Sequence, residues 1–254
     1  MHSMLTKAAL TALVSITIAT GFAQQTEPLK TKLDFHYVFT RGDYGLSEDT
    51  DVSIFMVNSS VETSGWRLQA SIPYVFLSGP ASVIGNTGTA GPSRSERGMG
   101  DLTLAGTSKF DIEGIDWSNE LTLKVKFPTA DENNGLGTGK TDTILQMDFF
   151  KRGGPVTPYG TLGYQFLGRS TAYPMKDGLF ATAGLAFPAS AQGTLGLAAN
   201  WRQPIVTGGD SGVELMGFAQ HKFSEDRRLL VFLMHGFTDA SPSIAIGATL
   251  GFSF

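Results

Sequence analysis

An all-β fold is predicted for this chain: a transmembrane, antiparallel up-and-down β-barrel of about twelve strands, of the bacterial outer-membrane type. Three observations predict it. Apolar residues alternate with polar or small ones at period two through most of the sequence, which is the spacing of a strand with one apolar face. The connections between the alternating stretches differ in length, short ones interleaved with long ones, as periplasmic turns and outer loops do. Aromatic residues, among them Trp66, Trp117, Phe149, Phe150, Trp201 and Phe223, gather toward the ends of the stretches, where a membrane barrel carries its interfacial girdles. Composition agrees by exclusion. The 254 residues are 41% hydrophobic and 17% charged, with 31 glycines and no cysteine, which rules out a disordered chain, a disulfide scaffold and a collagen. Lys+Arg 19 against Asp+Glu 23 gives a net charge of −4, so nucleic acid is not an expected partner.

Residues 1–23 read as a secretory signal peptide. Lys7 precedes an apolar stretch from Ala8 to about Ile18, and small residues at Gly21 and Ala23 place cleavage between Ala23 and Gln24. Residues 24–254 are then the barrel. No run of roughly 18 apolar residues follows Gln24, so no transmembrane helix is expected. Absence of cysteine fits an exported chain and excludes lipidation at an N-terminal thiol.

The alternating stretches lie near 29–41, 50–60, 65–77, 99–112, 117–128, 141–152, 156–168, 178–188, 192–203, 212–223, 228–238 and 243–254. In the third, Trp66, Leu68, Ala70, Ile72, Tyr74 and Phe76 form one stripe. In the fifth, Leu121, Leu123, Val125 and Phe127 oppose Glu120, Thr122, Lys124 and Lys126. In the ninth, Leu195, Leu197, Ala199 and Trp201 oppose Thr194, Gly196, Ala198, Asn200 and Arg202. In the last, Ile244, Ile246, Ala248, Leu250, Phe252 and Phe254 oppose Ala245, Gly247, Thr249, Gly251 and Ser253. A helix would smear each set around its surface. Short connections fall near Glu62–Ser64, Glu113–Asp116, Gly153–Pro155, Ala189–Ala191 and Ser224–Arg227. Longer ones run Gly79–Gly98, Thr129–Lys140, Arg169–Asp177 and Pro204–Ser211. An open sheet edge in hydrocarbon would strand backbone donors and acceptors, so the first strand must pair with the last.

Lipid then solvates the apolar face, and the polar face lines the lumen. Small inward residues such as Thr161, Gly163, Gly184, Gly196, Gly247 and Gly251 leave room inside. The same parity sends Lys124, Lys126, Asp142, Asp148, Arg152, Arg202 and Glu214 inward as candidate pore-lining residues, along with Arg67, Lys109 and Glu120. A loop centred near Gly208 sets Arg202 opposite Glu214; one centred near Asn134 sets Lys126 opposite Asp142. Such cross-strand pairs brace a wall or set the field of a constriction.

Gly135-Leu-Gly-Thr-Gly-Lys-Thr141 looks like a phosphate-binding loop but lacks the first glycine, where Asn134 stands, and runs into a strand instead of a helix. It reads as a flexible outer-loop tip, with Asp131-Glu132-Asn133-Asn134 solvated beside it. The histidines after the leader are His36, His221 and His235. His221 falls on the apolar face, as in a lipid hydrolase, but no Gly-x-Ser-x-Gly elbow accompanies it. No catalytic residue, metal or cofactor is expected.

Several blocks together resemble the family of outer-membrane barrel transporters catalogued under the MetA pathway of phenol degradation. They are Gly100-Asp-Leu-Thr-Leu104, Phe127-Pro-Thr-Ala130 with Gly135–Asp142, Pro158-Tyr159 with Leu162–Gly168, Trp201-Arg-Gln203 and Gly236–Pro242. The resemblance covers about residues 99–254, with Ser253 standing where such chains often carry a basic residue. It implies a channel or transporter for small organic, often aromatic, compounds. The ending on Phe254, with Phe252, is similar to the signal read by the barrel-insertion machinery. The expected function is therefore passive passage of small organic solutes across the outer membrane, with membrane lipids as surroundings and the Gly79–Gly98 loop controlling entry. A structural or adhesive barrel with a side-chain-filled lumen, and a lipid hydrolase, are the alternatives.

Overall fold

In the computed structural model, residues 28–81, 94–151, 153–169 and 175–254 are described; the leader and its cleavage site at Ala23 and Gln24 lie outside them. The strands are β1 Lys30–Gly42, β2 Thr50–Glu62, β3 Trp66–Gly79, β4 Arg94–Met99, β5 Leu102–Asp111, β6 Trp117–Phe127, β7 Asp142–Lys151, β8 Thr157–Phe166, β9 Gly178–Pro188, β10 Gly193–Arg202, β11 Gly212–Lys222, β12 Arg227–Gly236 and β13 Ile244–Ser253. All pairings are antiparallel and join chain neighbours except that β3 also pairs with β5 and β1 with β13, the latter from Lys32↔Ser253 to Arg41↔Ile244. The wall is closed, as unpaired edges in lipid would require. Both β4 and β5 pair with β3, so they are two halves of one stave and the barrel has 12.

That split is a correction to the fourth stretch, where the sequence suggests a strand only from 99. Residues 94–98, expected in a loop, pair with Val75–Gly79. Partners then slip by one, from Tyr74↔Met99 to Ser71↔Thr103, which is a β-bulge at Gly100-Asp101. Pro73 explains the place. It has no N–H for the ladder, its carbonyl accepts from Gly100 N at 2.8 Å, and a Cβ at position 100 would meet Pro73 Cγ at 2.7 Å.

The faces follow the alternation. Leu162, Leu197, Leu233 and Phe55 point outward and are more than half exposed, at 59, 54, 55 and 52%; lipid, not water, is the solvent that suits such a surface. Outward rings cluster at the strand ends, with Trp117 on Phe149 at 5.8 Å and Phe35 on Phe252 at 6.2 Å at the short-turn end, and Tyr164 on Phe166 at 4.8 Å at the long-loop end. Inward glycines do not simply widen the lumen. Gly163, Gly184, Gly196 and Gly247 lie under the rings of Phe180, Tyr159, Phe218 and Phe232, each ring occupying the space a Cβ would need. The rings are thereby recessed into the wall over these glycines.

Candidate functional site: a latched loop and a cavity in the outer lumen

The bulge sets Asp101 at the long-loop end of the lumen, its side chain 8% exposed. Its Oδ1 accepts the backbone N–H groups of Thr129 at 3.0 Å and Ala130 at 2.9 Å, the first residues of the loop between β6 and β7. Its Oδ2 lies 2.9 Å from Lys126 Nζ, and the same ammonium lies 2.7 Å from Asp142 Oδ2 and 3.1 Å from Thr138 Oγ1. Asp142 Oδ1 in turn accepts Gly168 N at 2.9 Å, at the start of the β8–β9 connection. One cation thus joins two carboxylates, each gripping the backbone of a different loop through charge-assisted hydrogen bonds.

Held in this way, the β6–β7 loop enters the barrel. Gly135, Leu136, Gly137 and Thr138 are buried. Leu136, 5% exposed, packs in an apolar cluster with Val52, Val75 and Leu77 of the wall. The flexible outer-loop tip expected here is instead folded inward: the glycine-rich run is a packing motif. Gly137 passes so close that a Cβ would lie 2.8 Å from Ala130 Cβ and 3.0 Å from Asp101 Oδ2, and Gly135 and Gly139 turn the chain at φ of 65° and 63°. Asp131 Oδ1 accepts Asn133 N at 3.0 Å, a local turn that aims the chain back inward. A second inward element comes from the neighbouring loops. Met175 and Val206 form an isolated bridge, and Ile205, 2% exposed, packs with Met175 beside Leu167.

Beneath these two elements is a cavity of about 300 Å³. Leu136, Met175 and Ile205 roof it, while Lys124, Lys126, Asp142, Ile144 and Gln165 belong to its wall. The roof is apolar and the wall charged, so the space is amphipathic. Three of the residues assigned inward by parity, Lys124, Lys126 and Asp142, meet at this one place.

The family described as "Putative MetA-pathway of phenol degradation" matches over residues 19–254. The chain belongs to this family. The match takes in residues 19–98 as well, which carry none of the resembling blocks. No relative among curated protein sequences matches the chain. Among solved structures, an outer membrane channel from Pseudomonas putida F1 is similar at a TM-score of 0.64 and 14% identity, over 91% of this chain and 97% of that one. KdgM porin is similar at 0.57 and 7%, over 88% and 99%. The beta domain of the Bordetella autotransporter BrkA follows at 0.51 and 13%, over 89% and 98%. At these identities the likeness is one of fold, and the fold is that of outer-membrane barrels.

The other inward residues of this family member divide by place. Lys126 and Asp142 are register partners, as expected. Arg202 and Glu214 are not: Arg202 registers with Gly212 and Glu214 with Asn200. Their groups still meet, at 3.6 Å, because the guanidinium slides along the strand over Gly212, where a Cβ would lie 2.6 Å from Nη2. Arg202 Nη2 also donates to Ala240 O, and Glu214 Oε1 accepts from Ser241 Oγ at 2.8 Å, so this pair holds down the β12–β13 loop. Asp148 registers with Glu120 and accepts from Gln146 at 2.6 Å and from Thr161. Arg152 lies outside the described residues, as does most of the Gly79–Gly98 loop to which gating was assigned.

Toward the short-turn end, Glu62 gathers Lys32, Lys109 at 2.9 Å and Arg67 at 3.8 Å, and Arg67 reaches Glu120 at 2.6 Å. Asp101 and Glu62 escape a search for facing charges across hairpins: Asp101 sits in the bulge before β5 begins, and Glu62 gathers cations from several staves. The usable signal is parity: Asp101 continues the inward set Thr103, Ala105, Thr107 and Lys109. His221 faces outward against Phe223, ring centroids 5.0 Å apart. Phe254 exchanges backbone hydrogen bonds with Thr31 at 2.8 and 3.2 Å. In the β1–β2 loop, burial pushes the Tyr44 hydroxyl to a higher pKa than an ordinary phenol, with a hydrogen bond to Thr40 working the other way.

Proposed function

We propose that this chain is an outer-membrane channel through which small organic solutes pass passively, the latched β6–β7 loop and the Met175–Val206 bridge narrowing its outer mouth. The observation that carries this reading is the amphipathic cavity of about 300 Å³ between the inward loops and the charged wall, a space a barrel filled by its own side chains would not keep. The recessed rings of Tyr159, Phe180, Phe218 and Phe232 support it, since they lie against glycines rather than across the lumen. In this reading Lys124, Lys126, Asp142, Asp148, Arg152, Arg202 and Glu214 border the path, and mixed signs leave the lumen without strong preference for either small ion. Export follows cleavage after Ala23, and Phe252 with Phe254 serves the insertion machinery. Purified barrel in planar bilayers and in liposomes tests the proposal. Unitary conductance and solute-dependent swelling are expected; neither, at any voltage and for any small solute, would overturn it.

A further inference from the structure

Away from the two rims, the cations set into the lumen wall are paired: Lys32 and Lys109 with Glu62, Arg67 with Glu120, Lys126 with Asp101 and Asp142, Arg202 with Glu214, Arg228 with Asp34. Among the described residues Lys124 is the exception. Its ammonium makes no direct ion pair and no hydrogen bond, Asp148 acting on it only from beyond ion-pair distance, yet it lines the cavity under the inward loops. Lys124 stands opposite Ile144, and Ile144 opposite Gln165, so the three form one row across β6, β7 and β8. At a strand spacing of about 4.8 Å, the Lys124 and Gln165 backbones are about 10 Å apart, a gap two long side chains can close over Ile144. Gln165 Nε2 is buried without a partner and belongs to the same cavity wall. Two unspent donors, one of them charged, therefore sit at one level below a roof of Leu136, Met175 and Ile205.

We propose that this cavity binds small organic monoanions, an apolar body carrying a single carboxylate. Lys124 pairs with the carboxylate, Gln165 donates the second hydrogen bond, and the body rests against Leu136, Met175 and Ile205. A neutral solute would leave the ammonium without a direct partner, a donor set that costs affinity when water is displaced from it. A cation would meet Lys124 directly. A dianion would be pushed back by the latch one step outward, where two carboxylates share the single charge of Lys126. The volume, about that of ten water molecules, limits the body to roughly one ring or a short chain. The assignment rests on the channel reading only in that the lumen admits solute to the cavity.

The test uses the full barrel in detergent micelles and measures equilibrium binding of benzoate, benzamide and benzylamine, three probes of one shape and three charges, with liposome uptake of the same three measured in parallel. Benzoate is expected to bind about tenfold more tightly than benzamide, the worth of one charge-assisted hydrogen bond, and benzylamine least. Lys124→Met brings benzoate down to the affinity of benzamide, and Lys124→Arg keeps the preference. Equal binding of benzoate and benzamide by the wild-type barrel overturns the inference, and that comparison holds even where a variant fails to fold. Persistence of the preference in folded Lys124→Met overturns it too. Preferential binding without uptake of any probe supports the site and refutes passage; uptake of all three at one rate without preferential binding refutes the site and leaves passage standing.

Discussion

Asp101→Ala should loosen the β6–β7 loop from the barrel mouth. The substitution removes the acceptor of the Thr129 and Ala130 N–H groups, at 3.0 and 2.9 Å, and one of the two carboxylates around Lys126. A hydrogen bond to a charged group contributes about 1.5–3 kcal/mol, and the freed N–H groups recover part of this by bonding water, so a net loss of about 3 kcal/mol is reasonable for the pair. That is about a 100-fold larger population of undocked loop. The loop does not let go altogether, because Leu136 keeps its contacts with Val52, Val75 and Leu77, worth about 1.5–3 kcal/mol of burial, and Lys126 keeps Asp142 and Thr138. The chain has no cysteine, so a single Leu136→Cys, which shortens that side chain equally in both backgrounds compared, reports loop position by its rate of maleimide labelling in liposomes. With fast opening and closing, that rate follows the undocked population. Adding Asp101→Ala should raise it about 100-fold and make openings to a larger conductance level correspondingly more frequent. An unchanged labelling rate, with recordings like those of wild type, would refute the latch.

Lys126→Met leaves the carboxylates of Asp101 and Asp142, 8 and 11% exposed, facing each other without a counter-charge; a loss of about 3–5 kcal/mol should lower the urea midpoint of the refolded barrel, and Asp142→Asn in addition should recover part of it. Gly163→Val drives a side chain into the Phe180 ring and should cost at least about 1–3 kcal/mol, seen as a smaller folded band in unheated gel samples, whereas a second change of Phe180→Ala restores folding; equal yields for Gly163→Val and wild type would contradict the recessed-ring packing. Burial raises the Tyr44 pKa, so the stability tied to its neutral hydroxyl is complete below the ordinary phenol range and is lost as pH climbs through the raised value, above about pH 10. Ultraviolet difference titration of wild type against Tyr44→Phe should therefore assign one late-ionising phenol to this loop, and a difference curve centred at the ordinary value would count against it.

Much of the barrel is legible in the residues. Strand placement follows from period two, as in Leu121–Phe127 and Ile244–Phe254, and closure of β1 on β13 follows from the cost of a free edge in lipid. Two departures within the strands have specific causes. Residues 94–98 read as a loop because Arg94-Ser-Glu-Arg-Gly-Met99 has no apolar stripe, and their pairing depends on β3 being long enough to reach them. A loop centred on Gly208 opposes Arg202 to Glu214, but the loop centre lies one residue earlier; Gly212 lets the guanidinium close the gap that this register leaves.

Alternation is a local property, carried by each residue and its second neighbour, and the sequence by itself therefore determined which side chains meet lipid and which meet the lumen. It also determined that Lys124, Lys126 and Asp142 share one face. Whether a loop stands out from the mouth or folds into it has no such local code. The direction of Gly135–Thr141 is decided by Leu136 against Val52, Val75 and Leu77 and by Asp101 gripping Thr129 and Ala130, contacts that exist only once staves distant in the chain are side by side. For the same reason only the tertiary structure separated Lys126, held between two carboxylates, from Lys124, its neighbour on the same strand, which faces the cavity without a direct ion pair.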